Sequence, residues 1–217
     1  MIVDLNLQDK SVIVIGGGNE AQKRIKSLIR QECNIMVISD KVIPQITKLA
    51  KSKKIQLKKQ KIQDTKFISK FKPDIIISTT NDKKLNQKII NEGKKKKIIT
   101  YSSDNPEESD FSNPAIIDFE KMIQIAIFTG GRSPAMSKKL KKKSEQMFKK
   151  IITKEDIGQI KIQKIARDAA KDEIETPTER KACLRSIMAD NEIDQLIKDG
   201  QMKKAEKRAI TIVRNWK

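Results

Sequence analysis

The sequence predicts an α/β protein: a Rossmann-type parallel-sheet domain over residues 1–113, a small α+β region over 114–150, and a helical C-terminal domain over 151–217. Three observations carry this prediction. Near-continuous aliphatic runs of strand length recur from Ser11 to Ser102 with lysine-rich helical segments between them, the pattern of strands covered on both faces. A glycine cluster separates the first run from the first helix, and no strand-like run recurs in the last third of the chain.

The first element is SVIVI, from Ser11. After the glycines, AQKRIKSLIRQ places Ile25, Leu28 and Ile29 at helical spacing, and IMVIS (Ile35 to Ser39) closes a βαβ unit. IQL near Ile55, DIIIST (Asp74 to Thr79) and KIITYS (Lys97 to Ser102) continue the alternation. The pattern then changes. Ala115 to Phe119 and Met122 to Phe128 are β-like runs separated by Glu120 and Lys121, which predicts a hairpin able to pair with a partner's hairpin. The turn TGGRSP (Thr129 to Pro134) leads into a helix on which Met136, Leu140, Met147, Phe148 and Ile151 can share a face. Further on, Thr176-Pro177-Thr178-Glu179 reads as a capping box, Asp199-Gly200 as a helix end, and Gln201 to Trp216 as a final helix.

Composition narrows the function classes. Aromatic residues make up 4% of the chain, so the core is aliphatic. With 47 Lys and Arg against 28 Asp and Glu, the net charge of +19 attracts polyanions, whether nucleic acid, an acidic membrane or a small polycarboxylate. Runs such as Lys94 to Lys97 and Lys141 to Lys143 read equally well as solvated faces. No zinc spacing, RNA-binding aromatic signature or recognition helix accompanies the charge, so nucleic acid is not the expected partner. Apolar runs stay short of a membrane span and MIVDLNLQDK lacks the order of a signal peptide, so no membrane association is expected. Cys33 and Cys183 stand far apart, which suits a reducing compartment, the cytoplasm. The chain has no histidine, so no closed metal site is expected and acid–base work falls to carboxylate, Lys, Tyr or Cys.

The chemistry-bearing residues fall at the ends of the predicted strands. Gly16-Gly17-Gly18-Asn19-Glu20-Ala21 fits G-x-G-x-x-A: Gly16 allows the tight turn, Gly18 admits a pyrophosphate, Ala21 lets the helix pack on the strand, and the helix N-terminus offers N–H donors. Asp40 follows the second strand, where an acid accepts from ribose hydroxyls and repels a 2′-phosphate, which favours NAD; Lys41 beside it pulls the other way. Thr79, Thr80 and Asn81 close the fourth strand, either at a ligand or as loop caps. Asp104 follows the fifth strand and has two readings, a turn initiator before Asn-Pro or a proton acceptor beside a nicotinamide.

Taken together, VIGGGNEAQKR, STTNDKKLN, the D-x-P-x-x-x-D-F-x-x-P-A pattern from Asp104 to Ala115, and FTGGRSPAMSKKL resemble the precorrin-2 dehydrogenase family, the N-terminal module of siroheme synthase. The resemblance implies a homodimer joined through the central region and NAD-dependent oxidation of precorrin-2 to sirohydrochlorin; some members also insert ferrous iron. It implies that Asp104 is the family's important aspartate, that Asn19, Glu20, Asp40 and Lys41 contact the nucleotide, and that Ser133 lies near the tetrapyrrole cleft. Precorrin-2 carries eight carboxylates, which gives the excess lysines a purpose and makes Arg132 a candidate carboxylate clamp. Tyr101 and Arg132 depart from the residues most common in the family. The competing reading is an NAD-sensing or nucleic-acid-binding Rossmann module without turnover.

Overall fold

The computed structural model describes residues 2–216, in two compact units that meet in sequence between Asn113 and Pro114. The first unit is built from β1 (Ser11–Ile15), α1 (Asn19–Leu28), β2 (Asn34–Ile38), α2 (Pro44–Lys51), β3 (Gln56–Lys58), α3 (Lys66–Phe71), β4 (Ile75–Ser78), α4 (Lys83–Lys95) and β5 (Ile99–Ser102). Its five strands lie in the order β3-β2-β1-β4-β5, and every pair is parallel. This is the predicted Rossmann-type arrangement.

Alternation along each strand explains why the sheet is covered twice. Val12 and Val14 point to one face, where they meet Ala21, Ile25 and Leu28 of α1 and Ile46 of α2. Ile13 and Ile15 point to the other, where Phe67 and Ile68 of α3 and Leu85 and Ile89 of α4 close over them. Each fully buried isoleucine contributes on the order of 1.5–3 kcal/mol relative to exposure, so these two layers dominate the unit's stability. The single tyrosine, Tyr101 on β5, belongs to the first layer and packs on Phe111 with ring centroids 5.2 Å apart.

Register decides what the sheet presents at its carboxyl edge. Ile15 pairs with Ile38 on one side and Ser78 on the other, and Ser78 pairs with Ser102. The residues that follow, Gly16, Ser39, Thr79 and Ser103, therefore emerge along one rim. From β1 the chain adds strands outward to β3, then returns to place β4 on the opposite side of β1. Ligands of such sheets bind at this reversal.

The second unit opens with the predicted hairpin, β6 (Ala115–Phe119) and β7 (Ile123–Ile127). Glu120 and Lys121 both have positive φ, 50° and 61°, and the Met122 N–H donates to the Phe119 carbonyl at 2.9 Å. This is a type I′ turn made without Asn or Gly. Helices α5 (Pro134–Ile151), α6 (Lys154–Glu173), α7 (Pro177–Met188), α8 (Asn191–Lys198) and α9 (Met202–Arg214) follow. Ile162, Ala166 and Ala170 of α6 pack with Cys183 and Ile187 of α7, Ile193 and Ile197 of α8, and Ala205, Ala209 and Val213 of α9. Trp216, the single tryptophan, leans on this cluster.

Helix boundaries in this unit are set by caps. The Thr153 hydroxyl accepts from the Asp156 N–H while the Asp156 carboxylate accepts from the Thr153 N–H, a full capping box that separates α6 from α5. At α7 the expected box takes a variant form. Thr176 accepts from the Glu179 N–H at 3.2 Å, but the Glu179 carboxylate accepts the Thr176 hydroxyl at 2.7 Å instead of reaching the backbone. Helix α5 buries none of its residues, and its apolar side chains stand open, Met147 at 65% and Ile151 at 63% exposure.

Candidate functional site

The glycine turn is built by close approach on two of its three residues. Gly16 has φ +112°, and a Cβ there would lie 2.6 Å from Thr79 Oγ1 and 2.9 Å from the Thr79 carbonyl oxygen. A Cβ on Gly17 would sit 2.1 Å from the Lys41 carbonyl oxygen, and the Gly17 carbonyl accepts from the Ile43 N–H at 2.9 Å. Gly17 is thus the seat of the loop after β2. Gly18 differs: a Cβ there would meet nothing, and the residue is exposed. It precedes α1, whose first turn carries no side-chain cap. Open space in front of uncapped N–H groups is the arrangement a dinucleotide pyrophosphate fits. The residues present therefore suit the cofactor that the sequence suggests.

The other sequence-selected residues are distributed around this rim. Ala21 is fully buried against the sheet, and Asn19 is exposed at the first turn of α1. Glu20 is paired with Lys23 and Arg24; burial pushes its carboxyl up, but bonds to Lys23 and the Arg24 charge outweigh it and hold it below its ordinary range. Arg24 continues to Tyr101, donating to its hydroxyl at 2.8 Å with the guanidinium carbon 4.8 Å from the ring centre. Glu20 and Tyr101 are in this way parts of one brace beneath the glycine turn. Asp40 is exposed beyond β2, with Oδ1 accepting from the Lys41 N–H at 3.0 Å, and Lys41 is exposed beside it.

At the end of β4, Thr79 spends its hydroxyl on the Ile15 carbonyl at 2.8 Å, tying β4 to β1 below the turn. Thr80 donates to Asn86 Oδ1 at 2.6 Å, while Asn81 is exposed. Asp104, past β5, is also exposed, and its Oδ1 accepts from Asn86 Nδ2 at 2.8 Å and from Ser102 Oγ at 2.5 Å. Asn86 and Ser102 were not marked out by the sequence. The signal available for Asn86 is its place between Leu85 and Ile89 on the buried face of α4, where a carboxamide at 1% exposure requires partners.

In the second unit, Gly130 and Gly131 take positive φ, 63° and 75°, and carry the chain from β7 into α5. Ser133 caps α5 by accepting from the Met136 N–H at 3.2 Å. Arg132 is exposed and forms no ion pair with any described residue. One cavity is lined by no residue of the two glycine turns and not by Asp104. That cavity, about 720 Å³, opens among Leu7, Lys10, Ile68, Lys72, Asp74 and Ile99, at the amino ends of β1, β4 and β5. Among the described residues no group of Cys, Asp and Glu converges as a metal site would, and no helix is long and apolar enough to cross a membrane.

A parallel sheet with a phosphate-shaped glycine turn at its switch point defines a dinucleotide-binding protein. Residues 3–115, just over half of the chain, match the family model described as "Putative NAD(P)-binding", and the chain belongs to that family. Among curated proteins it is similar to the siroheme synthase of Buchnera aphidicola, 29% identical over 144 residues, which are 66% of this chain and 30% of that protein. It is likewise similar to the siroheme synthase of Baumannia cicadellinicola, 27% identical over 143 residues (66% and 30%), and to that of Actinobacillus pleuropneumoniae, 23% over 203 residues (93% and 40%). The matched region thus spans well under half the length of these relatives. Of solved structures, SirC, precorrin-2 dehydrogenase, superposes with a TM-score of 0.68 at 21% identity, covering 95% of this chain and 99% of that one, and shares its fold.

Proposed function

We propose that this protein is an NAD-dependent precorrin-2 dehydrogenase, oxidising precorrin-2 to sirohydrochlorin. The observation that carries the reading is Asp104. It is an exposed carboxylate on the same carboxyl rim as the glycine turn, with one oxygen fixed by two buried donors and the other unbonded among the described residues. The similarity to siroheme synthases and to SirC supports the choice of substrate.

Bound at the glycine turn, NAD supplies the hydride acceptor. Asn19 and Glu20 at the start of α1, and Gly16 to Gly18 before it, form the seat for its phosphates; Asp40 meets the ribose hydroxyls and favours NAD over NADP. Asp104 takes the proton that the tetrapyrrole releases. Arg132 grips a substrate carboxylate, and Ser133 sets the turn that presents it. The exposed apolar side chains of α5, together with Met122 and Phe128, support a homodimer through the 114–150 region. Cys33 and Cys183 are both free thiols, in keeping with a cytoplasmic address.

The test is an anaerobic assay of purified protein with precorrin-2 and NAD. NADH and sirohydrochlorin appear together in stoichiometric amounts, and Asp104→Asn lowers turnover about a hundredfold while NAD binding persists. Ferrous ion added after oxidation reads iron insertion separately against a protein-free control. A folded protein that binds NAD and leaves precorrin-2 unchanged refutes the assignment in favour of a sensing module.

A further inference from the structure

Five polar side chains form one connected network at the junction of β4, α4 and β5. Asn86 is at its centre, in the first turns of α4, at 1% exposure. Its Oδ1 accepts from Ser78 Oγ at 2.7 Å and Thr80 Oγ1 at 2.6 Å; its Nδ2 donates to the Thr80 carbonyl at 2.9 Å and to Asp104 Oδ1 at 2.8 Å. Ser102 Oγ, also buried, donates to the same Asp104 oxygen at 2.5 Å.

The direction of the carboxamide is fixed by chemistry. The Thr80 carbonyl can only accept, so the amide nitrogen must face it, and the second hydrogen of that nitrogen then points at Asp104. A flipped amide would set its oxygen against a carbonyl and a carboxylate. A leucine of similar volume would suit the apolar face of α4 but would take away the partner of the Ser78 hydroxyl, of the Thr80 hydroxyl and carbonyl, and one of the two donors to Asp104, at a cost of about 1–3 kcal/mol for each buried group left unpaired.

We infer that Asn86 is a positioning residue which, with Ser102, clamps Asp104 through Oδ1 and leaves Oδ2 as the oxygen that receives the substrate proton. The inference rests on the proposed dehydrogenase reading. Two donors already point at Oδ1, so a proton arriving there would meet N–H and O–H groups head on. Oδ2 has no such donor among the described residues, and Asp104 is open to solvent. Charged residues on the elements around it are Asp82, Lys83, Lys84 and Lys88 on the α4 side and Glu107, Glu108 and Asp110 after β5. Of these, Asp82 is engaged capping α4, Glu108 bonds Gln87, and Asp110 bonds Thr100.

The test uses the full chain with two variants. Asn86→Asp is nearly isosteric and replaces a donor with a like charge beside Asp104; Ser102→Ala removes the other donor with little change in packing. Carbon-detected NMR of the ligand-free protein follows the Asp104 carboxyl through its titration. The midpoint moves up in both variants, further in Asn86→Asp than in Ser102→Ala. In steady state kcat falls at least tenfold in Asn86→Asp, with KM for NAD within twofold of the parent. Introduced into Asp104→Asn, the same change costs nothing further. An Asp104 midpoint unmoved in both variants overturns the clamp, as does a full additional loss in the Asp104→Asn background. If Asn86→Asp does not fold, Ser102→Ala decides by the same titration. A parent protein inactive on precorrin-2 refutes the dehydrogenase reading instead, and the titration still decides whether the clamp exists.

Discussion

The chain makes the passage from strand through glycine turn to helix twice, and the two versions end differently. At VIGGGNEA, Gly16 and Gly17 are crowded by backbone, and α1 begins without a side-chain cap. At FTGGRSP, a Cβ on Gly131 would meet nothing and one on Gly130 would meet only Arg132 at 3.8 Å, while Ser133 closes the start of α5. A serine cap satisfies one of the orphan N–H groups that an uncapped helix leaves available. The same local pattern therefore yields a helix start with no side-chain cap in one place and a serine-capped one in the other.

The contrast is broken most severely at Gly17. Gly17→Ala puts a methyl 2.1 Å from the Lys41 carbonyl oxygen, so the loop after β2 must move; a loss of about 3 kcal/mol or more in denaturant unfolding, with loss of NAD binding by calorimetry, is expected. Gly131→Ala, strained only by its positive φ, costs about 1 kcal/mol by the same measurement. Equal losses at the two glycines would remove the distinction.

A sealed helix start that also carries charge is found at α8. Asp190 accepts from the Ile193 N–H and takes a bidentate bond from Arg208, at 2.8 and 2.7 Å. The bonds to Arg208 outweigh burial and hold the Asp190 carboxyl below its ordinary range. A lowered folded-state pKa means the contribution is complete above the unfolded value and is lost as pH falls through the folded one. Asp190→Asn keeps a capping oxygen and removes the charge, so it is expected to cost about 1–2 kcal/mol at neutral pH. The gap from the parent should begin to narrow in acid melts as pH falls below about 4, the unfolded-state value, and should close only below the lowered folded-state value.

Gly18→Ala sharpens the comparison from the ligand side. With open space around its Cβ, stability should stay within about 0.5 kcal/mol, while NAD affinity falls about tenfold, or about 1.4 kcal/mol. Unchanged affinity would show that the pyrophosphate lies elsewhere. Smallest of all, Ser133→Ala should lower stability by about 1 kcal/mol through the lost cap and leave NAD affinity untouched.

The first unit was legible in the sequence because its signals are local. Strand runs such as SVIVI keep both faces apolar, and the glycine cluster falls between a run and a helical period, so pattern and turn chemistry agree. The expected final helix, Gln201 to Trp216, overran at both ends, since α9 spans Met202–Arg214 with Gln201 and Asn215 as its flanking caps. Asn86 and Ser102 were not legible. A lone carboxamide among leucine and isoleucine acquires meaning only when β4 supplies Ser78 and the loop beyond β5 supplies Asp104, residues 8 and 18 positions away. The Asp104 pattern carried two readings, turn and proton acceptor, because sequence cannot show which oxygen of a carboxylate is spoken for. The Thr153 box was missed for a plainer reason: the lysine run before it continues the helical period of α5 without a glycine or proline to mark the break.

Tyr101 is braced by Arg24 beneath the glycine turn, and Trp216 rests on the helical cluster of the other unit. The chain has one of each residue. Each half of the molecule therefore contains a different intrinsic fluorophore, and selective excitation of the indole sees the helical half alone. The order in which the halves melt can be read from native light emission, with no label attached.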